Sequence, residues 1–202
     1  MMRAALLASL TLLGGCISLL PDPPPAPRTY VLEAQDVAAL NGAPIDAVIA
    51  VSQPTGERTI LGSDLIWRTG DTIAYVDQSQ WSSRASSSLQ QVLTETLIRQ
   101  GRFRAASRSG EARADYEIRW DVLDFEVREE TMTAHFVADV RIVTQGRRII
   151  ASQIISTEAP VASRSSSVAA NALARAAREG SARIGEFAAD AAATARADAA
   201  ED

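Results

Sequence analysis

The middle of the chain alternates between hydrophobic and polar residues, which is the pattern of half-buried β-strands. Apolar residues hold the even positions from Tyr116 to Val122 and the odd positions from Leu123 to Val127. Side chains of a strand point alternately to its two faces, so a change of phase requires an extra residue at the change. The pattern therefore predicts one strand with a β-bulge near Val122 and Leu123.

Two further strands are predicted directly after this one. The even positions from Met132 to Ile142 are apolar, and they follow a turn over Arg128 to Thr131. Gln145-Gly146 is a second turn signal, which leads into the segment RRIIASQIIS, Arg147 to Ser156. Three long consecutive strands predict an antiparallel meander that needs cover on at least one face.

Shorter strands are predicted before the meander. Thr29 to Leu32 and Ile45 to Val51 are each typical of a strand, and loop residues lie between them. Ser63 to Arg68 and Thr72 to Val76 predict a hairpin that closes near Gly70-Asp71. The sheet should therefore contain strands from both halves of the chain.

A helix is predicted between this hairpin and the meander. Its buried residues recur at helical spacing: Leu89, Val92, Leu93, Thr96 and Leu97. Ser82 or Ser83 is the expected N-cap, and Gly101 is the expected left-handed residue at the C-terminal end. We expect the helix to span Ser83 to Gln100, with a short strand near Phe103 after it.

A second helix is predicted from about Ser163 onward. A narrow stripe of mostly small residues runs along it: Val168, Ala172, Ala176, Gly180, Ile184, Phe187 and Ala191. Gly180 and Gly185 each weaken a helix by about 1 kcal/mol relative to alanine, which predicts a kink or break. The Ala/Asp/Glu-rich tail, residues 191–202, is expected to be frayed.

Together these elements predict an α/β fold of the α+β type. A mixed, largely antiparallel β-sheet carries two main helices, one after the strand that ends near Tyr75-Val76 and one at the C-terminus. The chain is 47% hydrophobic, which is enough for a substantial core. Residues 29–190 have the length of one ordinary domain and are predicted to form one.

The first residues have the features of a bacterial export signal. Arg3 precedes an uncharged apolar run, Ala4 to Leu13, which is shorter than the roughly 20 residues of a membrane-spanning helix. The order Leu13-Gly14-Gly15-Cys16 resembles the lipobox of bacterial lipoproteins, in which the cysteine sulfur is acylated and the preceding peptide is removed. We therefore predict a cleaved signal peptide over residues 1–15 and lipidation of Cys16. The alternative is an ordinary buried cysteine in an apolar helix.

A lipidated Cys16 would hold the protein to a membrane. Each buried methylene contributes about 0.8 kcal/mol, and stable anchoring takes two acyl chains. Residues 16–28 would then form a proline-rich stalk, because proline lacks the amide donor that helices and central strands need. At about 3.1 Å per residue, Ile17 to Arg28 could span roughly 35 to 40 Å.

Composition excludes several classes of function. The 20 basic residues, all arginine, and the 25 acidic residues give a formal net charge of -5, which suits no nucleic-acid surface. One histidine and no cysteine beyond Cys16 argue against a zinc site. Neither Gly-x-Gly-x-x-Gly nor a Walker sequence occurs, so the chain should not hydrolyse nucleotide and no cofactor is expected.

His135 is the only candidate general base for an envelope hydrolase. It lies on the predicted strand face opposite Phe136 and Met132, where we expect it to be exposed. No Gly-x-Ser-x-Gly elbow occurs, so no catalytic residue is predicted. The acidic residues from Asp121 to Glu130 are predicted to form a solvated strand edge and turn rather than a catalytic carboxylate pair.

Three aromatic residues are candidate contacts for a partner protein: Trp67, Tyr75 and Trp81. Tryptophan is enriched at interaction hot spots. Trp81 stands at the junction of a strand and a helix, where it could instead pack in the core and fix the helix entry. We favour the core interpretation for Trp81, and we predict Trp120 in the core because it shares the apolar even positions.

Several of these motifs together resemble the ABC-type transport auxiliary lipoprotein family. The lipobox is followed by Tyr30-Val31-Leu32, then by a stretch from Tyr75 to Trp81 that leads into a helix ending near Gly101-Arg102-Phe103, and then by a strand with Phe125 near its end. The resemblance covers about Thr29 to Ala188. In place of the common Trp-Ala helix start the chain has Trp81-Ser82, a mild departure that leaves the predicted helix unchanged.

The resemblance implies a non-catalytic partner of an Mce-type (mammalian cell entry) ABC transporter that moves lipid between membranes. It implies as partners a periplasmic Mce protein and an ABC permease and ATPase complex, and it makes a homo-oligomer a candidate arrangement. Ile17 follows Cys16 where an aspartate would resemble an inner-membrane retention signal. The periplasmic face of the outer membrane is therefore predicted, ahead of the inner membrane.

Two other functions stay open from the sequence. A free-standing periplasmic lipid or lipoprotein carrier would enclose an apolar cavity between its sheet and helices. An envelope hydrolase would have to use His135, and it is the less favoured of the two.

Overall fold

The computed structural model describes residues 26–201, which form nine strands and two helices. The strands are β1 (Arg28–Tyr30), β2 (Ile45–Val51), β3 (Thr55–Gly56), β4 (Asp64–Thr69), β5 (Thr72–Trp81), β6 (Phe103–Arg108), β7 (Tyr116–Arg128), β8 (Thr133–Thr144) and β9 (Ile149–Pro160). The helices are α1 (Ala85–Gln100) and α2 (Ser166–Glu201). The predicted signal peptide, Cys16 and most of the predicted stalk lie outside the described residues.

Strand β7 organises one mixed sheet. It pairs with β8 along its whole length, and on its other side it pairs in turn with β2, β3 and β4. The longest ladders, β7 with β8 and β8 with β9, are antiparallel, whereas the contacts of β7 with β2, β3 and β4 are short and parallel. The predicted α+β class with a largely antiparallel sheet is confirmed.

The predicted meander and its bulge are also confirmed. The register between β7 and β8 shifts between Val122 and Asp124, so the phase change in the sequence marks a real extra residue. Met132 was predicted as the first residue of β8, but it belongs to the preceding turn with a positive φ of 50°. Strand β9 runs on to Pro160, four residues beyond the predicted end at Ser156.

The strand predicted to end near Tyr75-Val76 is longer. It continues to Trp81 as β5, which pairs antiparallel with β4 and, near its end, parallel with β1. Gln78 has a φ of 47°, an irregularity that the apolar pattern does not indicate. Because β5 ends at Trp81, this residue leads almost directly into α1.

Both helices cover the same face of the sheet. The predicted C-terminal residue of α1 is confirmed, since Gly101 has the left-handed conformation with φ 69° and ψ 18°. The predicted serine N-cap is wrong: Arg84 occupies that position, and no side chain caps the first turn. The first turn instead donates its backbone amides to the loop before β4, from Ala85 to the Gly62 carbonyl at 2.7 Å.

Helix α2 is continuous through both glycines, so the predicted kink or break does not occur. A Cβ at Gly180 would lie 2.3 Å from the ring of Phe136, and one at Gly185 would lie within the volume of the Gln100 amide. The glycines therefore let α2 approach β8 and α1 closely. The tail predicted to be frayed continues the helix to Glu201, and Ala192 is buried against the sheet.

The other face of the sheet is lined by polar and charged residues. We call it the open face and define it by its residues on β7 and β8, of which Val137 and Val143 are apolar: Glu117, Arg119, Asp121, Asp124, Glu126, Arg128, Thr133, His135, Val137, Asp139, Arg141 and Val143. Arg141 pairs with Asp121, and Arg119 pairs with Glu117 at 2.9 Å. Ion pairs cover the open face, whereas the two helices cover the opposite face of the sheet.

Candidate functional site

Within residues 26–201, the most buried carboxylate lies on the open face. Glu126 and His135 are directly opposite each other on β7 and β8, so their side chains share this face. Glu126 is 0% exposed and His135 is 5% exposed. The prediction that His135 is an exposed strand residue is wrong, because its ring is enclosed between strands on both sides and is bonded by neighbouring polar side chains.

Arginines neutralise Glu126. The Arg68 Nε donates to Glu126 Oε1 at 2.5 Å, and the Arg128 Nε lies 3.7 Å from the same oxygen. The hydrogen bond to Glu126 raises the pKa of Arg68 above its usual value. Within residues 26–201, the second oxygen of Glu126 has no hydrogen-bond partner. A buried carboxylate between arginines is a structural pair, which is the role that this geometry supports.

His135 joins a hydroxyl to a carboxylate. Its Nε2 lies 2.7 Å from Thr133 Oγ1, and its Nδ1 lies 3.2 Å from Glu158 Oε1. This order of groups is that of a hydrolase triad, in which a cavity must also admit the substrate. Four cavities among the described residues are lined by other side chains, and His135 borders none of them. The arrangement provides hydrogen-bond partners for both nitrogens of a buried imidazole.

The acidic run from Asp121 to Glu130 was predicted to be a solvated strand edge and turn, and the edge is wrong. Strand β7 is interior, with partner strands on both sides, and its Glu126 is buried. The turn is confirmed at Glu129 and Glu130, and the carboxylates of the run form ion pairs and hydrogen bonds. Asp124 pairs with Arg128 at 2.7 Å, and Glu129 pairs with Arg164. Glu130 accepts hydrogen bonds from its own backbone N–H and from that of Gly70, and these lower the pKa of its carboxyl. None of these carboxylates faces another across a cleft.

The three aromatic candidates do not form one surface. Trp81 is 3% exposed and stacks on Phe125 with ring centroids 5.7 Å apart, so its side chain belongs to the core and is not offered to a partner. Trp67 packs partly against the core. Tyr75 is 57% exposed. It lies opposite Ile66 in the hairpin, whereas Trp67 lies opposite Ala74, so Tyr75 and Trp67 point to opposite faces.

A groove between β9 and α2 was not predicted. The two elements run antiparallel, and two cavities of about 530 and 480 Å³ lie between them and meet at Asp190. Its lining is mixed, and Ile150, Ile155 and Phe187 are among the apolar residues. A signal was present in the sequence, because Glu186, Asp190 and Asp198 recur at multiples of four on the helix side that borders the groove.

The described residues contain no metal-ligand cluster. No group of three His, Cys, Asp or Glu side chains among them could hold an ion. None of their helices combines the length and apolar character required to cross a bilayer.

A family model described as the ABC-type transport auxiliary lipoprotein component matches residues 30–185. The chain belongs to this family. The resemblance inferred from the sequence is thereby confirmed. Among curated proteins, none matches this chain.

Two solved structures have a similar fold. A Xanthomonas campestris protein of the DUF330 family is 18% identical, has a TM-score of 0.77, and aligns over 84% of this chain and 98% of its own. The structure of an uncharacterized protein is 15% identical, has a TM-score of 0.65, and aligns over 81% and 99% of the two chains. At these identities the likeness concerns the fold alone.

Membership of the auxiliary lipoprotein family gives a coarse function. The chain is a lipoprotein component of an ABC-type transport system, and it is therefore associated with the cell envelope. The matched region, residues 30–185, contains nearly all of the sheet and most of α2.

Proposed function

We propose that this protein is anchored to the periplasmic face of the outer membrane through Cys16, and that it docks an Mce-type ABC transporter which moves lipid between membranes. The family match over residues 30–185 carries the proposal. Cys16, which follows a lipobox-like sequence, provides the anchor, and residues 16–28 form the stalk. Anchor and stalk raise the effective concentration of the folded domain near a partner, so that a weak interface suffices.

The docking role is non-catalytic in this proposal. His135 and Glu126 are both held by protein groups, and the acidic run of β7 is tied up in ion pairs and turns. The contribution of the domain is then a surface at a fixed distance from the membrane. We expect His135→Gln to fold and to leave transport unchanged, because glutamine can bond both Thr133 and Glu158.

Core packing supports docking over lipid carriage. The helix-covered face is filled by side chains that touch across the interface, such as Phe136 against Gly180, and the two cavities between β9 and α2 open to the surface. A carrier would need an enclosed apolar space for acyl chains. Lipid extracted in stoichiometric amount from the purified protein would contradict the docking role and favour the carrier.

The experiment that tests the proposal begins with the anchor. The full chain is produced in a bacterium that processes lipoproteins, and its N-terminal peptide is analysed by mass spectrometry. The expected product starts at acylated Cys16, and it fractionates with outer membranes. A Cys16→Ser variant should lose the outer-membrane location. A bare thiol, or a leader still attached, would overturn the anchored role.

A further inference from the structure

The sheet ends at β9, and only half of that edge is closed. Ser156 and Pro160 direct their carbonyls away from β8, and arginines of α2 bond both of them: Arg183 donates to Ser156 at 3.3 Å and Arg175 to Pro160 at 2.9 Å. In an antiparallel ladder, residues alternate between facing the partner strand and facing away from it. The even residues of β9 therefore face outward along this edge.

The other half of the edge is open. Ser152 and Ile154 share the outward phase of Ser156, and the register with β8 is regular from Ala151 to Pro160. Within residues 26–201, no hydrogen bond reaches the outward backbone groups of Ser152 or Ile154. Ile154 is 63% exposed. Free edges of this kind are ordinarily protected by charge, proline or a covering element, because they pair readily with another strand.

The groove beside this open half carries an excess of unpaired negative charge: among the described residues, three carboxylates of α2 border it, against the single unpaired arginine Arg148 at its β9 end. Glu186, Asp190 and Asp198 are exposed and border it from α2, and none of them forms an ion pair with another described residue. Arg183 is held by Glu179 at 2.6 Å. Residues four apart on a helix rise by about 6 Å, and alternate residues of a strand advance by about 6.8 Å. A strand laid along β9 would thus bring alternate side chains close to the helix carboxylates.

We propose that β9 and α2 form a docking site for an extended basic segment of a partner protein. The segment adds one strand to the open half of β9, bonds the backbone of Ser152 and Ile154, and places alternate Lys or Arg side chains against Glu186, Asp190 and Asp198. Main-chain hydrogen bonds supply affinity in this mode, and the alternate side chains supply specificity. The proposal deepens the docking role and rests on it only for the identity of the partner.

A second copy of this chain is a poorer match for the groove. Its basic edge strand is β6, where Arg104 already pairs with Asp46 at 2.9 Å. Arg102, just before β6, donates to the Asn41 carbonyl. The chain as a whole has a net charge of -5, which opposes association with itself. Within the described part of the chain, Arg108 on β6 and Arg28 on β1 form no ion pair, but each edge strand then offers one free arginine against three carboxylates. A strand of another protein with several basic residues matches the groove better.

The test uses a synthetic peptide and the full chain in detergent. The probe is a labelled peptide of about eight residues that alternates valine and arginine, which is the length of an ordinary strand. The control peptide has the same composition, with all valines before all arginines. Fluorescence anisotropy should show saturable binding of the alternating peptide and binding at least about fivefold weaker for the block peptide, since only alternation presents one basic side. Equal binding of both peptides would overturn the proposal.

Matched proline variants locate the strand. Ser152→Pro removes an outward N–H in the open half, and Ser156→Pro removes one in the half closed by Arg183; neither removes a bond to β8. The first should abolish peptide binding and the second should leave it within about twofold. Circular dichroism verifies that both variants fold. Equal effects of the two prolines would place the peptide elsewhere and contradict the proposal.

A charge variant avoids any change in the backbone. Glu186→Gln, Asp190→Asn and Asp198→Asn together should weaken binding of the alternating peptide about fivefold or more, since three exposed pairs are lost. Unchanged affinity for the alternating peptide would contradict the proposal that its basic side chains face the carboxylates of α2. Dimers of the full chain that Ser152→Pro abolishes would assign the edge to a second copy and overturn the basic-partner proposal. No transporter is present in these assays. A negative result would therefore overturn the strand-docking proposal alone, and the proposed function would still be tested separately by the analysis of Cys16.

Discussion

The two faces of the sheet are covered by different kinds of side-chain interaction. On the helix-covered face, Phe136 packs against Gly180, and Trp81, Phe125 and Phe136 form a chain of aromatic contacts. On the open face, side chains of opposite charge cover the same strands, and Glu126 and His135 are buried near one end of the β7–β8 ladder. One strand, β8, contributes alternate residues to both faces.

This difference separates stability from surface chemistry. Burying apolar area contributes about 25 cal/mol per Å², whereas an exposed ion pair contributes about 0 to 1 kcal/mol. We therefore expect the helix-covered face to hold most of the folding free energy. The open face and the β9 edge are then free to carry interactions.

The largest expected effect compares two neighbouring residues of β8. Phe136→Ala should lower the free energy of unfolding by about 3–5 kcal/mol, because it leaves a cavity under α2. Val137→Ala, one residue along and on the open face, should cost about 1 kcal/mol or less. Urea denaturation of both variants measures the difference. Similar losses would contradict the division between the faces.

The second largest expected effect concerns the close approach of α2 to strand β8. Gly180→Ala should destabilise the protein by about 1–3 kcal/mol, although alanine favours a helix by about 1 kcal/mol, because the new methyl group would meet the Phe136 ring. Gly146→Ala is the control, since its Cβ would lie 3.8 Å from Thr144 Oγ1, an ordinary contact. A Gly180→Ala protein that is more stable than the wild type would show that the helix does not press on this ring.

The sequence predicted the apolar side of this comparison well. Alternation marked β7 and β8, and the phase change located the bulge between Val122 and Asp124. The sequence-based prediction of a kink or break at Gly180 and Gly185 was wrong, because it considered only the low helix propensity of glycine. Glycine is needed at both positions because Phe136 and Gln100 pack directly against the helix there. These contacts join residues that are distant in sequence, so only the structure reveals them.

Glu126 is the exception on the open face. Glu126→Ala should cost about 1–3 kcal/mol, because it leaves Arg68 without the acceptor of a charge-assisted hydrogen bond. Asp139→Asn, on the same face and 3.8 Å from Arg141, should change stability by less than about 0.5 kcal/mol. Thermal unfolding of the pair distinguishes a buried ion pair from a surface one. A loss at Asp139 as large as that at Glu126 would contradict this ranking.

The smallest effect concerns the turn after β7. Hydrogen bonds from the N–H groups of Glu130 and Gly70 lower the pKa of the Glu130 carboxyl below its ordinary value of 4.5. Its contribution to stability is therefore present above that value, and it is lost as the pH falls through the lowered folded-state pKa. Glu130→Gln should be slightly less stable than wild type at pH 7, and the difference should disappear in acid. A difference independent of pH would exclude this carboxylate as its source.

The candidate sites were less predictable than the fold. Alternation placed His135 on the face opposite Phe136 correctly, but it could not show that the imidazole is buried and bonded by Thr133 and Glu158. The row Glu186, Asp190 and Asp198 was visible in the sequence, yet its meaning depends on the antiparallel path of α2 beside β9. Patterns along the chain report which face a residue occupies, and they do not report which distant element lies next to it.

The central claim is that a lipid-anchored domain serves an Mce-type transporter. The most direct measurement is chemical cross-linking in intact cells, followed by purification of the full chain and quantitative mass spectrometry, with Cys16→Ser as the control. The account predicts that an Mce protein and its ABC permease are enriched together with the wild type and are reduced in the control. Recovery of the anchored chain without any subunit of such a transporter would contradict it.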